Sequence, residues 1–284
     1  MNAHQVLDEL SDVYLQTRRS FLADITKDKA RTITADDEVQ GAAIKATLLR
    51  AELAALIAAD AAKGVASAVR DEGLVTLPYV AARTCLECST ICVWLLEPEV
   101  PWRQRIERCW EVRFGETTEA KKMASAIGEQ AVMQETAGLL EGLEDQAHRL
   151  KIAKRFGANQ RLTGYGAESF KRSKLVKRLW ETPGLYPMLS SISHGVPWGA
   201  SKAGLVSAGE QPLFEQVPYF ELHRDAEGVT FVITAVARQL IGCFTAVVDA
   251  HGWMAEEEWR ETVDDLLRPY DLEVAWGSAT DSTA

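Results

Sequence analysis

Three strong catalytic signatures are missing from the sequence: the GxxxxGKS/T phosphate loop, the GxGxxG turn that follows a strand, and HExxH. Their absence removes the sequence grounds for P-loop nucleotide hydrolysis, dinucleotide binding and zinc proteolysis. Sustained period-two alternation is lacking as well. The nearest approaches to it, residues 74–77 and 217–222, are short and flanked by loop residues, so no large sheet is expected. Residues 1–10 hold no basic start leading into an apolar run, and no secretory signal is expected there. No repeat at solenoid periods is visible. Cysteine is scarce, with five in 284 residues, three of them within residues 85–92. An odd, clustered set without an export signal predicts reduced thiols and a cytoplasmic location.

What is present is an ordinary globular composition, 47% hydrophobic and 25% charged. Helical periodicity dominates it. Helices are predicted over residues 1–22, over 35–70 beginning near Thr34 or Asp36, over 79–97 up to Pro98 and Pro101, and over 102–114. Thr117 or Thr118 is placed as the cap of a further helix through Met123, followed by a long one over 128–156. Residues 157–169 read as a glycine-containing loop, 173–180 as a short basic helix and 185–194 as another helix. A long loop or lid over 195–228, with a small helix around 201–207, precedes the last two helices, 229–250 and 255–267. The fold class expected is all-α, an irregular multi-helix bundle of about seven to nine helices. One helical domain spans 1–276 and a frayed tail 277–284. The apolar stretch 229–250 is interrupted by Arg238, Gln239 and Asp249, so it is read as a core helix and no membrane partner is expected. Polar intrusions in a core helix need partners, and Arg238, Asp249 and His251 are matched in expectation with Arg83 or Glu87.

Charge is unevenly placed. The net charge of -10 excludes nucleic-acid binding by the surface as a whole, yet residues 146–180 carry ten basic side chains against one acid, Glu168. Arg155, Arg161, Lys171, Arg172, Lys174, Lys177 and Arg178, interleaved with Phe156, Tyr165, Phe170 and Trp180, form a candidate surface for nucleic acid or a phosphorylated ligand. The competing assignment pairs these cations with the acidic remainder of the molecule or of a homo-oligomeric partner.

Two constellations carry candidate chemistry. Arg83 and Glu87 stand one helical turn apart, able to meet as an ion pair among apolar neighbours. Tyr186, Ser190 and His194 recur every fourth residue, which lines a phenol, a hydroxyl and an imidazole along one stripe. Histidine titrates near neutrality and activates a hydroxyl within reach, although no acid belongs to this motif and His194 before Gly195 equally suits a helix end. Though far apart in sequence, Arg83, Glu87, Tyr186, Ser190 and His194 are expected to share one partly buried polar pocket, since buried polar groups seek partners. Cys85, Cys88 and Cys92 share a helix face but lack a second cysteine pair, so core packing is preferred to a metal site. No metal and no cofactor are expected.

Arg83-x-x-x-Glu87 followed by Trp94, Leu95 and Leu96, then Tyr186-x-x-x-Ser190-x-x-x-His194, resembles a broad group of bacterial all-helical proteins of uncharacterised function. These distantly resemble the HEPN helical domains, many of which cleave RNA in toxin and phage-defence systems. The resemblance spans about residues 80–197. HEPN ribonucleases place an arginine four to six residues before the histidine, whereas Met188, Leu189 and Ser190 stand there in this chain. The resemblance therefore implies a helical scaffold with Arg83, Glu87, Tyr186, Ser190 and His194 as pocket positions, without the nuclease signature. The function expected is a nucleic-acid- or nucleotide-interacting helical protein, in its sharpest form an RNA-acting defence effector. The alternatives are a non-enzymatic interaction or oligomerisation module and a metal-dependent or biosynthetic enzyme.

Overall fold

Alanine lines the inner face of the longest helix, and that choice sets how closely the bundle packs. The computed structural model describes residues 4–24, 38–71, 73–180, 184–196, 199, 205–210, 218–222, 225–270 and 272. Among them the chain is all-α, with nine α-helices and two small hairpins. α1 is Gln5–Asp24, α2 Glu38–Arg70 and α3 Leu77–Leu96. On α2, Ala51, Ala54, Ala55, Ala58, Ala59, Ala62 and Ala66 are buried, which brings α3 so near that a Cβ on Gly64 would sit 3.6 Å from that of Ala81. α3 begins with Pro78 in its first turn, where a missing N–H costs nothing. It buries Tyr79, Ala82, Cys85, Leu86, Cys92, Trp94 and Leu95 against α2 and against α8, Ala226–His251. Asp225 caps α8, accepting the Glu227 N–H at 3.1 Å, and Gly252 ends it in the left-handed region, φ 61°. Tyr14 of α1 stacks on Phe244 of α8 with ring centroids 4.1 Å apart. The last helix, α9, is Glu256–Leu267.

α3 and α8 are long and apolar enough to cross a membrane, but 61% and 67% of their most apolar stretches are buried inside this fold. They are its central helices. Arg238 and Asp249 lie on the exposed face of α8 and make no contact with Arg83 or Glu87 among the described residues, contrary to the expected pairing. An amphipathic helix simply turns such residues to solvent. His251 faces Glu52 of α2 instead, at 3.9 Å.

Other elements depart from the sequence expectation for identifiable reasons. α4 runs unbroken over Trp102–Ile127, and Thr117 does not cap a new helix: its hydroxyl bonds back to the Arg113 carbonyl at 2.8 Å. The break comes at Gly128, φ 76°, and α5 follows over Gln130–Arg149, well short of residue 156. Lys154–Phe156, expected as the end of the long helix, is β1, and it pairs antiparallel with β2, Leu162–Tyr165, which lies in the expected loop. Glu111 of α4, a buried carboxylate, decides this. It accepts the Tyr165 N–H at 3.0 Å, the Phe170 N–H at 3.1 Å and the Arg155 guanidinium, so the hairpin is pinned from outside. A Cβ at Gly164 would fall 2.1 Å from the Glu111 carboxylate, so a larger residue there would have to displace Glu111 from its hold on the hairpin.

α6, Arg172–Trp180, and α7, Leu185–Ser193, both pack on α3 and on each other. Within the expected loop lies β3, Leu205–Glu210, antiparallel to β4, Pro218–Leu222, so the helix expected around 201–207 is replaced in its described part by strand. Residues 211–217, residues 201–204 and the tail 277–284 lie outside the described residues.

Candidate active site on the third helix

α3 presents Arg83 and Glu87 on its flank facing α6 and α7. One turn apart, they form an ion pair, Nε to Oε1 2.9 Å, with about a fifth of each side chain exposed. α7 brings two more groups. Tyr186, in its first turn, donates its hydroxyl to Glu87 Oε1 at 3.3 Å, and its ring lies under the Arg83 guanidinium, 5.8 Å to the centroid. His194 caps the other end of α7, its N–H bonded to the Ser190 carbonyl at 3.1 Å, with Gly195 at φ 63° turning the chain away. That position leaves the imidazole exposed and puts its Nε2 3.2 Å from Arg83 Nη1.

A guanidinium only donates, so this contact assigns His194 Nε2 as the acceptor and places the ring proton on Nδ1. Burial of Arg83 disfavours its charge, but the hydrogen bond and charge of Glu87, helped by Tyr186, prevail and raise its pKa above the ordinary value. Arg83 is thus a fixed cation whose guanidinium occupies the one lone pair of the neutral imidazole.

Sequence reasoning missed one member. Arg172, at the start of α6, reaches Glu87 Oε2 at 3.4 Å, so Glu87 is held by three donors from three helices. Helix packing alone makes that link, and no spacing in the chain announces it. Ser190 stands on the same stripe of α7 but its hydroxyl makes no hydrogen bond to the other four among the described residues.

The basic segment divides. Arg155 turns inward to Glu111 and to the carbonyls of Gly166, at 3.1 Å, and Glu168, at 2.9 Å, where it braces the hairpin. Arg178 pairs with Glu97 at 3.1 Å. Arg161, Lys171, Lys174 and Lys177 are exposed and have no ion partner among the described residues. The three lysines follow one another at every third residue, Lys171 just before α6 and Lys174 and Lys177 on its exposed side.

A second ionic centre was also missed. Arg108 is 3% exposed and bonds Glu97 at 2.7 Å, the Trp94 carbonyl at 2.8 Å and Glu168 at 3.1 Å, beneath the Trp94 ring. An arginine between Ile106 and Cys109, Trp110, Val112 on a core helix was the signal available. Cys85 and Cys92 are fully buried in the core, and burial pushes the Cys88 thiol up to about 11. No family model, no curated protein and no solved structure matches the chain. The site's own chemistry must carry the functional argument.

Proposed function

We propose that this chain acts on RNA at the Arg83, Glu87, Tyr186 and His194 cluster, as a metal-independent ribonuclease with the lysine face of α6 as its phosphate track. One observation carries the reading: Arg83 Nη1 lies 3.2 Å from His194 Nε2 at an exposed position. The resemblance to HEPN domains lacked an arginine just before the histidine, and here a guanidinium arrives from α3. Arg172 adds a second cation on the opposite side of Glu87.

A phosphodiester entering this site meets Arg83 and Arg172. It draws Arg83 off the imidazole, which frees Nε2 to take the proton of the ribose 2′-hydroxyl. The 2′-oxygen attacks phosphorus, the P–O5′ bond breaks, and the leaving 5′-oxygen takes up a proton from water as the cyclic 2′,3′-phosphate forms. General acid–base action of this kind contributes about 10² to 10⁴ in rate, and guanidiniums placed on the developing charge add to it. Glu87 and Tyr186 hold Arg83 in place. DNA lacks the 2′-hydroxyl and is bound without being cut.

The test is incubation of labelled single-stranded RNA and DNA of equal sequence with wild type and His194→Gln in excess EDTA. Cleavage of RNA alone, with cyclic 2′,3′-phosphate ends and lost in His194→Gln at unchanged melting temperature, is the expected result. RNA left uncut, or cut equally by His194→Gln, overturns the reading; binding without cleavage favours an interaction module instead.

A further inference from the structure

On another face of the bundle, α2, α4 and α5 line a half-open cavity of about 550 Å³. That is the size of a small-molecule site. It is lined by Ala42 and Ala46 of α2, by Trp110 and Arg113 of α4, and by Gln146 and Arg149 of α5. We infer that this cavity binds a small organic anion, a planar apolar body bearing a phosphate or carboxylate group.

Three features point to that ligand. Trp110 is 2% exposed, yet its indole N–H has no hydrogen-bond partner. Buried donors are nearly always satisfied, so a vacant one beside a cavity marks a place where an acceptor belongs. Arg113 lies over the Trp110 ring, 5.2 Å to the centroid, without a carboxylate partner among the described residues. Arg149, in the last turn of α5, has none either. Several other arginines of the bundle are paired. Arg18, Arg50, Arg83, Arg108 and Arg155 each hold a glutamate. In a chain of net charge -10, two guanidiniums without carboxylate partners among the described residues, lining one cavity, make it locally electropositive. The alanines of the lining supply only apolar contact and suit a flat body. Gln146 offers both a donor and an acceptor at the rim.

None of these residues belongs to the Arg83 and His194 cluster, so the two proposals fail independently. The experiment uses the full chain labelled with ¹⁵N on its indole nitrogens, with the Trp110 resonance assigned by its loss in Trp110→Phe. AMP, benzoate, inorganic phosphate and neutral adenosine are titrated to millimolar concentration. Saturable movement of the Trp110 resonance by AMP or benzoate is expected, with adenosine at least about tenfold weaker than AMP because it lacks the charge-assisted contacts. AMP acting without benzoate identifies a phosphate ligand, and the reverse a carboxylate. Arg113→Gln and Arg149→Gln should each weaken the response about tenfold, while His194→Gln leaves it unchanged. No movement with any probe overturns the inference. So does movement that survives in the double arginine variant, or inorganic phosphate acting as strongly as AMP.

Discussion

Arg83 on α3 and His194 at the end of α7 are 111 residues apart in the chain and 3.2 Å apart in the fold. Geometry of this contact yields a sharp substitution test. Lysine keeps the charge but cannot hold Glu87 and a phosphate oxygen at once, because an ammonium on a flexible stem lacks the guanidinium fork. Arg83→Lys should therefore lower RNA cleavage about a hundredfold, the cost typical of removing one donor to developing charge. The half-buried pair itself contributes about 1 kcal/mol or less, so the melting temperature should fall by only a few degrees. Cleavage unchanged in Arg83→Lys, measured at saturating RNA, separates the arginine from the reaction.

Lys171 just before α6 and Lys174 and Lys177 on its exposed side have no ion partners among the described residues, so they are available to phosphates. Each phosphate contact to a single strand contributes about 0.7 to the slope of log K against log salt. Replacing all three with glutamine should flatten that slope by about 2 and leave circular dichroism unchanged. Fluorescence anisotropy with labelled RNA over a salt series measures it, and an unaltered slope removes the lysine track.

The helical scaffold and the stripe of α7 were readable because both rest on periodicity. Tyr186 and His194 lie two turns apart on any helix, and α3 and α8 show their apolar faces in the chain itself. Elements decided by a distant partner were not readable. Nothing near residues 154–165 reveals that Glu111 will accept two of that region's N–H groups and so favour a hairpin over more helix. Thr117 and Thr118 look like caps in sequence, but a threonine inside a helix also bonds the preceding turn, and here Thr117 does. Arg172 joined the cluster by helix packing, and Arg155 left the expected basic surface for the same kind of reason.

Glu111 gives a stability prediction. Its side chain is 8% exposed, and removing it strands Arg155 and the N–H groups of Tyr165 and Phe170. Breaking a buried pair by deleting one partner costs about 3–5 kcal/mol. Glu111→Ala should lower the urea midpoint accordingly and expose the amides of β1 and β2 to hydrogen exchange. A loss below about 1 kcal/mol, within the range of exposed pairs, contradicts the hairpin's dependence on this carboxylate.

Acid should destabilise the protein in two separate windows. His251 on α8 has a pKa lowered from 6.5, chiefly because burial disfavours the imidazolium. The Glu52 carboxylate 3.9 Å away acts to raise it and fails, since Glu52 is already bonded to Arg18 at 2.5 Å, and Arg18 itself acts to lower it. Above about pH 6.5 the ring is neutral in both states and contributes no pH dependence. Below that, the unfolded chain takes up a proton that the native state refuses, so stability falls as pH drops toward the folded value. Glu168 acts lower on the scale. Burial raises its pKa, but the hydrogen bonds and charge of Arg108, with Trp94 and Gln104, outweigh burial and hold it below the ordinary carboxylate value of 4.5. Its stabilisation is complete above that ordinary value and is lost as pH falls through the folded one. His251→Gln should flatten urea midpoints between about pH 7 and pH 5, and Glu168→Gln should flatten them only below about pH 4.5. A His251→Gln protein that keeps the full slope in the upper window would show that the imidazole does not drive it.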